Sequence, residues 1–282
     1  MVIFTEKKDI QSYLQAKKAQ QSSIGFVPTM GALHEGHLSL VRQALQETDI
    51  VVVSIFVNPT QFDNATDLDN YPRTLPRDVA LLETVSNNLV VYAPEVTDIY
   101  GEVAQSENFS FGGLEFEMEG QFRPGHFNGV GTIVKRLFEI VTPDHAYFGQ
   151  KDFQQLAIIK YMVTAYNLPV TIHGCPIYRE ANGLALSSRN ERLKPAYKAA
   201  APFIYETLMA AKKQFGTKSV ESITSWVADA FAKHELLKLE YFTIADEQTL
   251  KPITETVTNK TYRAFIAVYA DDIRLIDNIP LN

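Results

Sequence analysis

Continuous apolar runs rich in β-branched residues alternate with amphipathic segments in the first part of the chain. The longest run, at residues 49–57 (DIVVVSIFV), is apolar on both strand faces, and shorter runs lie at residues 23–27 and 88–92. Residues 145–148 and 170–173 are weaker strand candidates. Strands that are apolar on both faces are typical of a parallel sheet that is covered by helices on both sides.

Helical periodicity fills the intervals between these runs. Apolar residues recur every three or four positions in residues 38–48, 78–85, 130–141 and 156–166. The β-α-β-α order predicts an α/β fold, with a doubly wound, Rossmann-like domain and a parallel sheet over residues 1–175.

The pattern changes in the remainder of the chain. Residues 195–215 and 219–236 predict two amphipathic helices, and residues 239–244 and 262–269 predict strands, the second of them near a sheet edge. We therefore expect a smaller α+β domain over residues 176–282, which carries the SSRN sequence.

Composition limits the classes of partner. The formal net charge is −7, which argues against nucleic acid as a main partner because phosphate backbones need a basic surface. The chain has no run of about 20 apolar residues, so no membrane span is expected. It has a single cysteine, and its N-terminal residues contain no long apolar segment of the kind found in signal peptides. These features favour a cytoplasmic protein without an intramolecular disulfide.

A turn rich in glycine and histidine follows the first apolar run, at residues 30–37 (MGALHEGH). Gly31 and Gly36 allow the backbone to turn and to approach a ligand closely. His34 and His37 lie at the start of a helix, whose free N–H groups and partial positive charge favour a phosphate. The alternatives are a helix cap with two partly exposed histidines and a zinc-binding pair, which lacks supporting Cys or His residues here.

Two further segments carry groups that bind phosphate. Lys151 follows the strand candidate at residues 145–148, and the loop at residues 187–189 (SSR) offers two hydroxyls and a guanidinium. Asp152 is either a helix cap or a ligand for a ribose hydroxyl or a metal, and an ordinary serine-rich turn is the alternative for the loop. The chain contains neither GxxxxGK[ST] nor GxGxxG after a strand, so a bound nucleotide must be held by these elements.

Polar side chains also follow the longest apolar run. Asn58 and Gln61 carry amides that both donate and accept hydrogen bonds, which suits hydroxyls or a carboxylate. Arg123 belongs to a segment, RPGHF, that precedes a helix, and an ordinary loop is the alternative for it.

Together these motifs resemble those of the pantoate–β-alanine ligase family. They are VPTMGALHEGH, VSIFVNPTQF, YPRTL, RPGHFNGV, FGQKDFQQL and GLALSSRN, in this order over residues 24–190, followed by RLIDN. HxGH alone marks the wider nucleotidyltransferase superfamily, whereas NPTQF and SSRN narrow the resemblance to this ligase. It implies that ATP and (R)-pantoate give pantoyl adenylate and pyrophosphate, and that β-alanine then displaces AMP to give pantothenate. It also implies Mg²⁺, a cytoplasmic location and a homodimer.

The resemblance assigns site residues position by position. Gln61 and Gln155 match the glutamines that bind pantoate, with Gln61 also contacting β-alanine, and Asn58 and Arg123 are grouped with them. The residues assigned to ATP are Met30, Gly31, Ala32, Leu33, His34, Glu35, Gly36, His37, Gly149, Gln150, Lys151, Asp152, Tyr178, Leu186, Ser187, Ser188 and Arg189. Four of these are the catalytic candidates: His34, His37, Lys151 and Arg189. No protein ligand is assigned to Mg²⁺, which is held through the phosphates of ATP.

Two positions depart from the pattern of the wider group. Gln150 stands where relatives often have glutamate, and we expect a backbone role there. The segment from Leu186 to Arg189 matches the KMSKS-like loop of related adenylate-forming enzymes but lacks its lysines. Lys151 and Arg189 must then supply much of the positive charge.

Three other functions remain open from the sequence. A nucleotidyltransferase would stop at a stable adenylylated product, and a requirement for β-alanine in AMP release distinguishes the two enzymes. A class I aminoacyl-tRNA synthetase shares HxGH, but the acidic charge and the lack of a basic tRNA-binding domain weigh against it. A nucleotide-binding regulator without catalysis would be expected to lack one of the site residues, and all of them are present: His34, His37, Lys151, Gln61 and Gln155.

Overall fold

The computed structural model describes residues 1–62 and 65–282. The chain divides into two compact units, the first made of residues 1–150 and 154–176, and the second of residues 151–153 and 177–282. The division of roles predicted between residues 1–175 and 176–282 stays a prediction. No helix in the described ranges is long and apolar enough to cross a bilayer.

The first unit contains a parallel β-sheet. Within the described residues its six strands are β1 (Val2–Phe4), β2 (Ile24–Thr29), β3 (Ile50–Ile55), β4 (Val90–Tyr92), β5 (His145–Gly149) and β6 (Thr171–Cys175). They pair in parallel in the order β1-β4-β3-β2-β5-β6. The predicted α/β class with a doubly wound parallel sheet is confirmed.

Helices connect these strands. They are α1 (Lys7–Ala19), α2 (Glu35–Glu47), α3 (Ala65–Asp69), α4 (Leu75–Glu83), α5 (Val96–Tyr100), α6 (Glu119–Phe122), α7 (His126–Val141) and α8 (Phe153–Ala165). The four helices predicted from periodicity correspond to α2, α4, α7 and α8. Neither α1 nor β1 was predicted, since α1 buries only Ile10 and Leu14 and β1 is three residues long.

The strand order places a switch point beside β2. From β2 the chain passes through α2 to β3 on one side, while β5 lies against β2 on the other side. Because these strands are parallel, the segments that follow β2, β3 and β5 leave the same edge of the sheet, where open α/β sheets bind ligands. The centre of β3 is fully covered, with Val51, Val52 and Val53 at most 1% exposed.

The second unit has an antiparallel sheet and three helices among its described residues. Its elements are α9 (Pro195–Ala200), α10 (Phe203–Gln214), α11 (Val220–Ala232), β7 (Leu237–Asp246), β8 (Tyr262–Ala270) and β9 (Ile273–Pro280). The sheet order is β7-β8-β9. The core of this unit includes Ile204, Leu208, Ile223 and Val227 from the helices, all at most 2% exposed. This is the smaller α+β part that the sequence predicted.

Two local predictions for the second unit are wrong. The strand over residues 262–269 is the central strand rather than an edge strand, because β9 pairs with it from Arg263 to Ala270. The helix over residues 195–215 is two helices, α9 and α10, which meet at Ala201 and Pro202. Proline has no N–H to donate and its ring clashes with the carbonyl four residues earlier, so the helix restarts there.

Candidate active site

The turn between β2 and α2 contains two consecutive residues with left-handed backbone. Gly31 has φ of +79° and Ala32 has φ of +48°. Glycine adopts this region without strain, whereas alanine there costs about 1–2 kcal/mol. Such strain persists only where surrounding contacts hold the backbone. Here the N–H groups of Ala32 and Leu33 both donate to one buried carboxylate.

That carboxylate belongs to Asp78 in α4, which was not among the predicted site residues. Asp78 is fully buried; its Oδ1 accepts from Leu33 N at 2.7 Å, and its Oδ2 accepts from Ala32 N at 3.1 Å and from Thr74 Oγ1 at 3.2 Å. Burial raises the pKa of Asp78, and these hydrogen bonds oppose the rise. Its backbone partners lie 45 and 46 residues away, so no local pattern marks it.

His34 and His37 form a reciprocal cap at the start of α2. His34 Nδ1 accepts from Gly36 N at 3.1 Å, and His37 Nδ1 accepts from His34 N at 3.3 Å, with the ring centroids 4.1 Å apart. A ring nitrogen that accepts a hydrogen bond carries no proton, so each neutral ring is protonated on Nε2. The cap interpretation and the phosphate interpretation are therefore compatible, because Nδ1 serves the helix while Nε2–H is a donor.

The amides of Asn58 and Gln61 contact each other after β3. Asn58 Nδ2 donates to Gln61 Oε1 at 3.1 Å and to Gly129 O at 3.2 Å, and its Oδ1 accepts from Tyr100 Oη at 2.6 Å. Asn58 is 1% exposed, and both ends of its amide are hydrogen-bonded within the protein, so it is placed to orient Gln61. A contact between Asn58 and the substrate stays a prediction. Gln61 Nε2 donates to Met30 Sδ at 2.9 Å, which joins this segment to the turn after β2.

His126 and Arg123 bind the backbone carbonyl of Gln61. Arg123 Nη1 donates to His126 Nε2 at 3.1 Å, and His126 Nδ1 lies 2.8 Å from Gln61 O. Since guanidinium only donates and a carbonyl only accepts, both contacts require a neutral ring with its proton on Nδ1. The start of α7 also approaches this turn closely, since a Cβ at Gly129 would lie 2.2 Å from Thr60 O.

The first turn of α8 contains two glutamines in different environments. Gln154 is 4% exposed; it accepts from Glu119 N at 3.0 Å and donates to Leu114 O and Glu117 O at 2.8 Å each. Gln155 is half-buried, and within the described ranges its side chain makes no hydrogen bond. The structure thus assigns Gln154 to the fold and leaves the amide of Gln155, the predicted pantoate ligand, available.

The turn after β5 contains residues of both units. Gly149 ends β5, and Gln150 Nε2 donates to Gly174 O in β6 at 3.3 Å. Lys151 and Asp152 belong to the second unit. Lys151 Nζ lies 4.0 Å from Asp152 Oδ1, and the lysine side chain is 18% exposed.

The predicted phosphate loop of the second unit has a defined backbone. Leu186 N donates to Tyr178 O at 3.0 Å, and Tyr178 is 40% exposed. Ser187 caps the short 3₁₀ turn Ser188–Arg192, where its Oγ accepts from Arg189 N at 3.3 Å. This bond uses Ser187 as an acceptor and keeps its O–H as a donor.

A metal site is an alternative use of the two histidines. The part of the chain that the structure describes has no group of three or more His, Cys, Asp or Glu side chains arranged to hold a metal ion. A zinc site at His34 and His37 would need further ligands, and the Nδ1 atoms of both rings are already engaged in the cap.

Comparisons with known proteins identify the family of this chain. The model of the family described as pantoate–β-alanine ligase matches residues 2–280. The chain is 56% identical over 282 residues to the pantothenate synthetase of Christiangramia forsetii, and 55% identical over 281 residues to that of Flavobacterium psychrophilum, with 100% of each chain covered.

Solved structures give the same result. The crystal structure of pantothenate synthetase from Thermus thermophilus has a TM-score of 0.91 at 39% identity, covering 100% of this chain and 99% of that one. The pantoate–β-alanine ligase from Francisella tularensis, complexed with "Beta-gamma ATP" and β-alanine, has a TM-score of 0.82 at 36% identity, covering 100% and 98%. The chain therefore belongs to the pantoate–β-alanine ligase family and is a ligase.

Proposed function

We propose that the chain joins (R)-pantoate to β-alanine through a pantoyl-adenylate intermediate, with release of pyrophosphate and then AMP. The observation that carries the proposal is the reciprocal cap of His34 and His37 at the start of α2, in which each Nδ1 accepts a backbone hydrogen bond and the proton of each neutral ring lies on Nε2. The cap follows β2, at the edge where open α/β sheets bind ligands, and a helix start favours phosphate. Family membership supports it, and so does the Francisella tularensis ligase complexed with "Beta-gamma ATP" and β-alanine.

The first step needs alignment and charge neutralisation. The pantoate carboxylate is ionised at neutral pH, so one of its oxygens attacks the α-phosphorus of ATP without a general base. The bond from the α-phosphorus to the bridging oxygen breaks, and its electron pair leaves with pyrophosphate. Negative charge on the phosphoryl oxygens must be met by fixed donors in line with the attack.

His34 and His37 supply neutral donors for this charge. Their Nδ1 atoms are held by the cap, so the orientation of each Nε2–H is set before ATP arrives and needs no reorganisation during the step. We assign them hydrogen bonds to phosphate oxygens rather than proton transfer, because pyrophosphate leaves readily without a protein acid.

Lys151 and Arg189 supply positive charge in this proposal, and Ser187 and Ser188 supply hydroxyl donors. The Lys151 ammonium is a compact charge for one phosphate group, whereas the Arg189 guanidinium can bind two oxygens at once. The remaining residues assigned to ATP by resemblance are proposed to act mainly through backbone contacts.

Gln61 and Gln155 are proposed to position pantoate. The Gln61 amide is oriented by Asn58 and Met30, so it presents a fixed donor, while Gln155 keeps its amide for the ligand. Arg123 is proposed to act with His126 by fixing the Gln61 carbonyl. In the second step the amine nitrogen of β-alanine attacks the acyl carbon, the carbon–oxygen bond to AMP breaks, and the amine loses a proton.

Three further features are proposed from the family resemblance. Mg²⁺ would enter with ATP on its phosphates and neutralise charge on the leaving pyrophosphate. The protein is proposed to be cytoplasmic and homodimeric. Residues 1–175 would carry pantoate and the HxGH contacts, and residues 176–282 the SSRN loop.

The decisive experiment follows pyrophosphate and AMP with ATP, Mg²⁺ and pantoate, with and without β-alanine. Pyrophosphate without β-alanine and AMP only with β-alanine are the expected results. A stable adenylylated product that β-alanine does not consume would instead indicate a nucleotidyltransferase.

His37→Asn tests the assignment of the two ring nitrogens. Its amide oxygen can replace Nδ1 in the cap, but it has no donor at the Nε2 position, so adenylate formation should fall by about 100-fold at nearly unchanged stability. His37→Gln is the matched control, since its amide nitrogen reaches the Nε2 position and should retain more activity. Near-normal single-turnover adenylate formation in His37→Asn would exclude the assignment.

A further inference from the structure

The motif RLIDN lies in β9 and has no part in the reaction proposed above. Asp277 and Asn278 of this motif are 5% and 2% exposed. A buried carboxylate and a buried amide need hydrogen-bond partners. The partners of this pair belong to, or lie next to, the two segments of the second unit that are proposed to bind ATP, Lys151 and the loop of residues 186–189.

Asn278 binds the backbone of Lys151. Its Nδ2 donates to Lys151 O at 2.9 Å, and its Oδ1 accepts from Arg263 Nη1 at 2.7 Å. A guanidinium has no acceptor, so Arg263 fixes the amide with Oδ1 toward itself and Nδ2 toward Lys151. Arg263 is in turn held by Glu247, whose Oε1 lies 2.8 Å from its Nε.

The residues on either side of this contact are held by the same part of the unit. Phe153, two positions after Lys151, packs edge-on against Phe265 with ring centroids 5.8 Å apart. The Arg263 guanidinium lies 4.0 Å from the centroid of the Phe153 ring. These contacts explain why residues 151–153 belong to the second unit although the chain around them belongs to the first.

Asp277 holds the base of the other segment. Its Oδ2 and Oδ1 accept from Arg179 Nη1 and Nη2 at 2.6 Å and 2.9 Å, and Arg179 Nη1 also donates to Gly183 O at 3.0 Å. Arg179 forms a bridge with Ala185, directly before the loop of residues 186–189. The Asn278 N–H donates to Asp277 Oδ1 at 2.7 Å, so the supports of the two segments are hydrogen-bonded to each other.

We propose that Asn278 is a positioning residue for the ligase reaction, which sets the Lys151 ammonium against ATP by fixing the Lys151 backbone. The inference rests on the proposed function of Lys151. A lysine carries its charge on a flexible stem of four carbons, so the charge can be held in one place only if the backbone that bears it is fixed. Through Asp277 and Asn278, which are hydrogen-bonded to each other, the backbone of Lys151 and the base of the loop of residues 186–189 are held by the same strand.

The test is a double-mutant cycle between Asn278→Asp and Lys151→Ala, measured as kcat/KM for ATP in adenylate formation at saturating pantoate. Asn278→Asp keeps the acceptor for Arg263 and removes the donor to Lys151 O. It should lower kcat/KM by about tenfold in the wild-type background, as expected for one buried hydrogen bond. In the Lys151→Ala background its effect should fall to about twofold or less, because the positioned group is absent.

Asn282→Asp is the matched control. Asn282 Nδ2 also donates to a lysine carbonyl, Lys260 O, at 2.8 Å, and its Oδ1 accepts from Tyr262 N at 2.8 Å. Its replacement should leave kcat/KM for ATP unchanged. If the Asn278→Asp chain does not fold, Asn278→Ala removes the same donor without adding a charge and completes the cycle.

Two results would overturn the inference. Equal losses from Asn278→Asp in both backgrounds, or no loss in the wild type, would show that Asn278 does not act through Lys151, and the proposed function would stand. Full activity of Lys151→Ala would remove the role of Lys151 itself, and this inference with it. The two failures are therefore distinguishable.

Discussion

Asp78→Asn is expected to slow adenylate formation by one to two orders of magnitude while the chain stays folded. The Asp78 carboxylate uses one oxygen for Leu33 N and the other for Ala32 N and Thr74 Oγ1. Asparagine has one acceptor oxygen, so in either orientation its NH₂ group faces a backbone N–H of the turn that leads to His34.

The magnitude follows from this geometry. A hydrogen bond to a charged group contributes about 1.5–3 kcal/mol. If this free energy is lost from the transition state because the turn before His34 is displaced, the rate falls by between about 10-fold and about 150-fold. Displacement by about 1 Å of the donors proposed for His34 and His37 would give a similar factor.

The assay is single-turnover pyrophosphate release with ATP, Mg²⁺ and pantoate. Asp98→Asn is the control, because Asp98 is a half-buried carboxylate of the same unit that accepts from Lys7 N at 2.9 Å and from Tyr92 Oη at 2.6 Å. The control should lose some stability and retain adenylate formation. A folded Asp78→Asn protein within about threefold of the wild-type rate would refute the reasoning, since a charged hydrogen bond corresponds to more than tenfold.

The contribution of Asp78 to the free energy of unfolding should depend on pH. Burial raises the folded-state pKa of Asp78 above its unfolded value, so its contribution to stability is present below the unfolded pKa and is lost as pH rises through the folded pKa. Asparagine does not titrate. The advantage of the wild type over Asp78→Asn in urea unfolding should therefore shrink as pH is raised from about 4 to about 7, and an advantage that grows would contradict the assignment.

Three other outcomes are expected. Gln61→Ala should raise the KM for pantoate and β-alanine with little change for ATP, and unchanged apparent affinities for both would count against its role. Gly129→Ala should weaken pantoate binding and lower the melting temperature, because its Cβ would meet the backbone oxygen of Thr60 at 2.2 Å. Gly131→Ala should be milder, because the atoms nearest its Cβ belong to phenylalanine side chains. Burial raises the pKa of the Cys175 thiol to about 11, so a thiol reagent at about pH 8 should label it only after unfolding, and rapid labelling of the native protein would be inconsistent with this.

Strand and helix prediction succeeded where burial was decided by local pattern. The β-branched run that forms β3 is apolar on both strand faces, and in the fold both faces are buried. The same reasoning failed for β9, whose sequence IRLIDNIP contains the polar pair Asp277 and Asn278. Their burial depends on Arg179, Arg263 and Lys151, which are distant in the sequence.

Site prediction had the same limit. The motifs identified His34, His37 and Lys151 as residue types suited to phosphate, and the resemblance assigned their roles. The supporting residues were missed, since Asp78 binds backbone N–H groups 45 and 46 residues away and Asn278 binds a backbone carbonyl 127 residues away. Such contacts leave no periodic or local signal, and only the folded chain reveals them.

The left-handed alanine at position 32 has a consequence for the engineering of heat-resistant variants. Ala32→Gly would relieve strain of about 1–2 kcal/mol and, after the greater chain entropy of glycine, should leave a small net gain in stability. It would also place two adjacent glycines before His34 and widen the range of orientations of the ring. A screen of variants for heat resistance alone should therefore enrich Ala32→Gly, whereas a screen for catalytic turnover should remove it.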